Sequence, residues 1–299
     1  MNIEQELGAK LKSGIKINEP MSKHTSWQVG GPADYYVCPA DHSELAEIVG
    51  FSRKYKLPLF VLGNGTNLLV LDGGIRGIVV NIGESFSNIT RIGDSLEAGS
   101  GTAMTLLANV AVEQRLVGLE FAVGIPGSLG GAVIMNAGAF GLHIGDKIHS
   151  VKLISSGGEP VTMGKDDLSF GYRTSNLIGK GIIVEVSLQL KEGDPAESLK
   201  LMDYYLKERS RRHPNLPSAG SVFRNLPGQP AGKIIESLGC KGMTVGGAQV
   251  SPKHANFIVN TGNATAADIL TLIETVKQMV KDNHGIELQP EVKIVGEES

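Results

Sequence analysis

The sequence predicts an α+β protein built in lobes rather than one doubly wound sheet. Three observations lead there. Strand-like apolar runs and amphipathic helices are mixed along the chain without the regular alternation of a parallel sheet. Two G-x-G turns follow predicted strands, yet neither supplies the third glycine of a dinucleotide-binding βαβ unit. The third observation is the stretch from Glu120 to Gly141, EFAVGIPGSLGGAVIMNAGAFG, where glycines alternate with Ala, Val, Ile and Met and charge is almost absent. Each glycine costs about 1 kcal/mol against alanine inside a helix, and glycine weakens a strand too. The stretch suits a backbone that turns sharply and lets something large press against it. Amide groups in such a loop form an anion-binding concavity, the usual seat of a diphosphate, and the apolar residues between would suit a flat ring system. A dinucleotide cofactor is one reading; a glycine-rich packing turn without a ligand is the other.

The chain of 299 residues can bury the cores of two or three lobes. A net charge of -3 gives no global pull toward nucleic acid or an anionic membrane, so any anionic substrate must meet a local cluster. Cys38 and Cys240 lie far apart and in no metal-ligand spacing, which fits structural thiols in a reducing compartment. The polar start MNIEQELGAKLKSG is no signal peptide, and no apolar run is long enough to span a bilayer. A cytoplasmic protein is expected.

Ile3, Leu7 and Leu11 recur every four residues, a short amphipathic helix ending near Gly14. The lone Trp27 reads as a core anchor ahead of a strand from Asp34 to Cys38. Asp41 with Glu44 makes a capping box for a helix through Tyr55. Leu57 to Leu62 reads as a buried strand. Gly63, Asn64, Gly65, Thr66 and Asn67 follow it directly, and the strand LLVLD comes next where a Rossmann unit needs a helix. Gly99-Ser100-Gly101 repeats the G-x-G theme before a helix with Leu106, Leu107, Val110 and Ala111 on one face. Glycine loops after successive strands suggest that several loops converge on one extended ligand.

Strands are expected over 148–155 and 182–190, around a turn-rich middle that holds SFGYRTS, with Tyr172 and Arg173 prominent. Lys191 to Pro195, KEGDP, is the best linker candidate. A helix from about Ala196 to Arg212 follows, with Leu199, Met202 and Leu206 on one face. Lys207, Arg209, Arg211, Arg212 and His213 crowd its end. Cations there complement the helix dipole; they could also meet a substrate diphosphate. PSAGSVFRN, residues 217–225, is another glycine-containing turn, with Ser221 after Gly220. HANFIVN reads as a strand, Thr265 to His284 as a helix with Gly285 just beyond it, and Pro290 to Ile294 as a last strand.

Taken together, GNGTNLLV, AGSGT, GIPGSLGGAVIMNAGAFG, GYRTS, PSAGSVFRN and LQPEVKIVG, in this order, resemble the UDP-N-acetylenolpyruvoylglucosamine reductases. These flavoenzymes make UDP-N-acetylmuramate for the bacterial peptidoglycan cell wall. The resemblance runs from about Ile17 to Gly296. It implies a two-lobed FAD-binding domain of the vanillyl-alcohol oxidase and p-cresol methylhydroxylase type, then a C-terminal α+β substrate-binding domain. The corresponding boundaries are an N-terminal segment 1–26, an FAD-binding domain 27–193 with lobes 27–58 and 59–193, and a substrate-binding domain 194–299. No insertion follows Arg173, as in the shorter subclass of the family; the longer subclass carries a substrate-contacting tyrosine on such a loop.

Carried over residue by residue, the resemblance implies catalytic roles for Arg173, Ser221 as proton donor, and Glu291. It places non-covalent FAD on Gly63, Asn64, Gly65, Thr66 and Asn67, on Ala98, Gly99, Ser100, Gly101 and Thr102, and on Gly124, Ile125, Pro126, Gly127, Ser128, Gly130 and Gly131, with Asn136, Ala137 and Gly138. Tyr172, Arg173 and Asn225 match positions near the UDP-sugar. NADPH is the implied reductant, a monomer the implied state, and no nucleic acid, membrane or metal is implied. One departure is HPNLPSAG, where related sequences commonly carry Gln before Pro214.

The chemistry agrees with the residue types. Reducing an enolpyruvyl ether sends a hydride to its terminal methylene carbon and a proton to the adjacent carbon. Arg173 has the planar fork that matches a carboxylate on which negative charge develops. Glu291 beside another carboxylate helps if it is protonated, or if it orients Arg173. Two rivals stay open at this stage: an FAD oxidase of the same superfamily acting on a small alcohol or sugar, and a non-catalytic nucleotide-binding module. His143 lies near the glycine stretch but in no flavin-attachment motif.

Overall fold

In the computed structural model, the described residues are 3–299, without the side chain of Lys10. Met1 and Asn2, the start of the expected N-terminal segment, lie outside them. By contacts the chain divides into two compact units. The first gathers Met1–Lys16, Tyr35–Asn64 and Gly77–Glu208; the second gathers Ile17–Asp34, Gly65–Arg76 and Arg209–Ser299. Segments 17–34 and 65–76, assigned from sequence outside the C-terminal domain, therefore group with its residues from Arg209 onward. The elements are mixed helices and strands, an α+β fold as expected.

The first unit has two apolar cores. One packs the helix His42–Tyr55, through Leu45, Ile48 and Val49, against Val37, Ile78, Val80, Ile154 and Ile182. Asp41 caps this helix, accepting from Glu44 N–H at 2.9 Å. Glu44 does not return the bond as a capping box would. Its carboxylate accepts from Ser13 N–H and Ser13 Oγ, both at 3.1 Å. The strand Leu59–Leu62 pairs in parallel with residues 78–81 and is only partly buried, Val61 facing solvent.

The second core lies on a five-stranded sheet. Its order is Pro160–Gly164, Ile148–Ser155, Gly181–Gln189, Ser95–Gly99, Ile89–Ile92, all neighbours antiparallel. The helix Met104–Glu113 buries Met104, Leu107, Ala108, Ala111 and Val112. Leu106, expected on that face, is 46% exposed, because Met104 and Ala108 complete the inward stripe in its place. Residues 191–195 do not behave as a free linker. Lys191 and Glu192 pair with Leu116 and Val117, and the helix Pro195–Arg212 starts at once. This helix buries Ser198 and Met202, while Leu199 and Leu206 are exposed, so of its expected apolar face only Met202 turns inward.

The second unit has one core, in which Trp27 is fully buried and its Nε1 donates to Ile258 O at 2.7 Å. A three-stranded antiparallel sheet, Thr244–Val245, Ala248–Val250 and Ile258–Asn260, packs with the helix Ala266–His284. The helix buries Ile269, Leu272, Ile273, Val276 and Val280, as its periodicity predicts. Thr265 and Asp268 close a capping box at its start. The Asp72 carboxylate adds two acceptors for the first-turn amides of Ala266 and Ala267, at 3.0 and 2.9 Å. Gly285, at φ 66°, ends the helix in the left-handed region. Leu68–Val70 pairs in parallel with Lys293–Val295. Cys240 is buried; Cys38 is exposed, with its Sγ 4.0 Å from Asn81 Oδ1.

Candidate functional site

Three glycine loops meet in the first unit. Gly63 and Asn64 leave the strand Leu59–Leu62, and Asn81 Nδ2 holds Gly63 O at 2.9 Å. Ala98 to Thr102 leaves the strand Ser95–Gly99, and Ser100 Oγ donates to Ile183 O at 2.6 Å. Gly124 ends a short 3-10 turn; Ile125, Pro126 and Gly127 lead to Ser128, which precedes the helix Leu129–Ile134. The second and third loops are laced by backbone bonds: Gly130 N–H to Ser100 O at 2.8 Å, Leu129 N–H to Thr102 O at 2.8 Å, and Met104 N–H to Gly127 O at 3.1 Å. A Cβ built on Gly63 would lie 2.3 Å from Ser128 Oγ, so the first loop reaches the third.

Several of these glycines answer to protein rather than ligand. A Cβ at Gly99 would sit 2.1 Å from Phe86 O, and one at Gly101 2.1 Å from Gly83 O. One at Gly130 would meet Ser100 Cβ at 3.0 Å. The Gly130 amide, expected to face an anion, is bonded to Ser100. Gly131 differs. It is exposed, and the nearest atom to its added Cβ is Ser128 Oγ at 3.6 Å.

Thr102 carries the signature that tests the fit of a cofactor. It is fully buried at the seam of the two laced loops, and its Oγ1 has no hydrogen-bond partner among the described residues. A buried hydroxyl left unpaired costs about 1–3 kcal/mol, and such groups in native proteins call for a partner such as a ligand or water. Converging loops and an unsatisfied hydroxyl fit an FAD diphosphate held by residues 63–64, 98–102 and 124–131.

Tyr172 and Arg173 form the tip of a hairpin in the same unit, with Phe170 opposite Ser175 and Gly171 opposite Thr174. Arg173 has φ 55°, a left-handed conformation that side chains other than Gly and Asn rarely adopt. The guanidinium carbon lies 5.2 Å from the centroid of the Tyr172 ring. Strain of about 1–3 kcal/mol at such a residue concentrates at functional sites. The hairpin is anchored to the glycine stretch. Asn136 is buried, donates from Nδ2 to Gly171 O at 3.0 Å, and accepts Gly145 N–H on Oδ1 at 3.0 Å. Ser175 Oγ donates to Ile134 O at 3.0 Å. Asn136 thus holds the base of the Arg173 hairpin. Ala137 and Gly138 follow; Gly138 begins a two-residue ladder in which it pairs with His143.

The second unit holds the rest of the first glycine loop with Ser221, Asn225 and Glu291. Gly65 O accepts Ser26 N–H at 3.1 Å, and Thr66 follows. Asn67 Nδ2 donates to Glu291 O at 3.3 Å, and Asn67 O accepts Lys293 N–H at 3.1 Å. Ser221 and Glu291 are brought together: Glu291 N–H donates to Val222 O at 2.7 Å, Arg224 N–H to Gln289 O at 2.9 Å, and Phe223 and Pro290 form an antiparallel bridge. Both are half-buried, and among the described residues the Ser221 hydroxyl makes no hydrogen bond to its own turn. Asn225 is exposed and accepts Ala231 N–H on Oδ1 at 3.0 Å.

Two features escaped the sequence reading. Asn256 clamps the segment after Ser221; an asparagine inside the apolar run HANFIVN was its only signal, since Asn is depleted in strands. The basic cluster continues onto a second segment. His213, His254 and Phe257 form a ring cluster, with His213 and His254 each 4.8 Å from Phe257. Lys253 Nζ donates to Ser210 O at 2.6 Å. Burial, with Arg209 next, pushes the His213 imidazole down to about 4, and burial lowers His254 and Arg209 as well.

The chain is similar to known proteins along almost its whole length. A sequence model of the UDP-N-acetylenolpyruvoylglucosamine reductase C-terminal domain matches residues 212–295, and one of an FAD-binding domain matches residues 33–164. The UDP-N-acetylenolpyruvoylglucosamine reductase of Desulforamulus reducens is 45% identical over 98% of this chain and 97% of its own length. That of Heliobacterium modesticaldum is 47% identical over 93% of this chain and 90% of its own. The crystal structure of the Thermus caldophilus enzyme superposes with a TM-score of 0.82 at 36% identity, covering 94% of this chain and 97% of that one. With identity of this degree along almost its whole length, and with its FAD-binding and C-terminal parts each matched, the chain belongs to the UDP-N-acetylenolpyruvoylglucosamine reductase family.

Proposed function

We propose that the protein reduces the enolpyruvyl ether of UDP-N-acetylglucosamine enolpyruvate to UDP-N-acetylmuramate, with FAD as cofactor and NADPH as reductant, in peptidoglycan synthesis. The observation that carries this is the near full-length family match, joined to a Ser221–Glu291 pair set on adjoining backbone. Bound FAD would supply the hydride chemistry, linking NADPH as reductant to the methylene carbon of the substrate as acceptor. The chain's own residues do the rest. Residues 63–67, 98–102, 124–131 and 136–138 bind the cofactor, with the Thr102 hydroxyl as one donor. Arg173 meets the substrate carboxylate, where its fork offsets the negative charge that grows as hydride arrives. Tyr172 and Asn225 contact the UDP-sugar. Ser221 gives its Oγ proton to the carbon next to the carboxylate; a hydroxyl is a weak acid, but a carbanion is a strong base. Glu291 assists as a hydrogen-bonding group beside Ser221. The reading places the enzyme in the cytoplasm as a monomer, with no nucleic-acid or membrane partner.

The test is the absorbance spectrum of the purified protein, then anaerobic addition of NADPH and the enolpyruvyl substrate in turn. The expected result is a flavin spectrum that bleaches with NADPH, recovers with substrate, and leaves free FAD on denaturation. A colourless protein would favour a nucleotide-binding module. Reoxidation by oxygen but not by substrate would favour an oxidase.

A further inference from the structure

Asn256, only 3% exposed, grips the segment that carries Ser221. Its side-chain amide bonds both main-chain groups of Phe223: Phe223 N–H donates to Oδ1 at 2.9 Å, and Nδ2 donates to Phe223 O at 2.8 Å. Its own carbonyl accepts Val222 N–H at 2.8 Å. Side chain and main-chain carbonyl of one residue thus imitate a neighbouring strand at the two residues that follow Ser221. The other end of the turn is pinned from the same segment and from Ser26. Asn260 N–H donates to Pro217 O at 2.9 Å, and Ser26 Oγ donates to Ser218 O at 2.7 Å. Between these anchors Gly220 takes φ 77°, with open space where a Cβ would be. Ser221 is therefore the residue presented at the crest of a loop tied on both sides. Glu291 joins the same assembly, since the Val222 carbonyl that accepts its N–H belongs to the residue whose amide Asn256 holds.

We propose that Asn256 is the positioning residue for proton delivery: it acts through the Val222–Phe223 backbone to hold Ser221 Oγ in line with the carbon it protonates. The proposal rests on reading Ser221 as the proton donor. In that step the Ser221 O–H bond breaks and a C–H bond forms on the carbon beside the substrate carboxylate, whose electron pair takes the proton; the serine alkoxide then regains a proton from water. Asn256 is bonded to neither reacting group. Its leverage is geometric, because a misplacement of about 1 Å in a reacting group can cost about 100-fold in rate.

The experiment uses FAD-loaded Asn256→Leu, Asn256→Asp, Ser221→Ala and the double variant Ser221→Ala/Asn256→Leu, followed by anaerobic stopped flow on each half-reaction. Substrate affinity is titrated alongside. Asn256→Asp retains the acceptor for Phe223 N–H, and carries the test if Asn256→Leu does not yield folded protein. Flavin reduction by NADPH and substrate affinity are expected to stay within about twofold of the parent. Reoxidation by substrate should slow about 10- to 100-fold in Asn256→Leu and less in Asn256→Asp. Adding Asn256→Leu to Ser221→Ala should slow reoxidation no further, because the group being aimed is gone. Equal slowing of both half-reactions, or slowing that multiplies in the double variant, would mean that Asn256 merely supports the fold and would overturn the proposal. Slow reoxidation in Ser221→Ala beside normal rates in both Asn256 variants would overturn the role of Asn256 alone. Normal reoxidation in Ser221→Ala would remove the proton-donor reading itself, and the role of Asn256 with it.

Discussion

Replacing Thr102 by Val should move stability and cofactor affinity in opposite directions. The Thr102 side chain is fully buried and its hydroxyl has no partner among the described residues. In apo-protein an unpaired hydroxyl of this kind costs about 1–3 kcal/mol, and valine removes it while keeping the branched shape. Apo Thr102→Val should therefore be more stable than the parent, by about 2 °C or more in Tm for each kcal/mol. The cofactor reverses the sign. A hydrogen bond to a charged group contributes about 1.5–3 kcal/mol, so losing it should raise the Kd for FAD about 10- to 100-fold. The measurements are a thermal melt of apo-protein and an FAD titration followed by quenching of flavin fluorescence. A less stable apo variant would show that the hydroxyl is satisfied in the apo-protein. Unchanged FAD affinity beside a higher Tm would show that Thr102 does not meet the cofactor.

Adjacent glycines should separate packing from binding. Gly131→Ala should keep the apo fold, gaining up to about 1 kcal/mol in its helix, yet purify with less FAD; Gly130→Ala must displace Ser100 and should lower the apo melt by about 1–3 kcal/mol. Arg173→Lys keeps charge but loses the fork, and turnover should fall at least about 10-fold at normal FAD content. Arg173→Gly should stabilise the protein by about 1 kcal/mol, by relieving φ 55°, while turnover collapses. Turnover should fall less in Glu291→Gln, which still offers a hydrogen bond, than in Glu291→Ala; equal loss would point to charge or proton transfer. The fold keeps His213 neutral down to about 4 where an unfolded chain takes up the proton near 6.5. Stability should thus fall as pH drops across that window, and His213→Gln should flatten the slope, leaving the part due to His254.

What could be read from the sequence was whatever is carried by period or by a local motif. The helix Ala266–His284 announced its cap, its buried face and its terminal glycine, and all three are present. Trp27 was legible as a core anchor because a large ring has few other places to go. Faces set by long-range packing were not legible. Leu199 and Leu206 share a helical stripe with Met202, yet only Met202 is buried, because the helix meets its unit along Ser198 and Met202. Glycine was the most ambiguous signal. High density marked the loops correctly, but Gly99 and Gly101 are small because a carbonyl oxygen lies where a Cβ would go, a reason no local pattern contains. Grouping of distant segments was invisible for the same reason: Asp72 joins the start of the helix Ala266–His284 through bonds across nearly two hundred residues.

The candidate site residues owe their placement to neutral amides. Asn67 holds the Glu291 carbonyl, Asn136 the Gly171 carbonyl at the base of the Arg173 hairpin, and Asn256 both main-chain groups of Phe223 beside Ser221. A carboxylate could accept from an amide but could not donate to a carbonyl, and a lysine or arginine could only donate. Asparagine does both from a short, two-torsion side chain. It also adds no net charge to the segments that carry Arg173, Ser221 and Glu291. A fixed charge there would act on reactant and transition state alike, whereas only interactions that strengthen in the transition state raise the rate. Charge-bearing groups would then be left to Arg173 and Glu291, and these three side-chain amides would act through the backbone they hold. Replacing any of the three by Asp should therefore harm the site even where the fold tolerates it, since the donor to a carbonyl is lost and a charge is introduced.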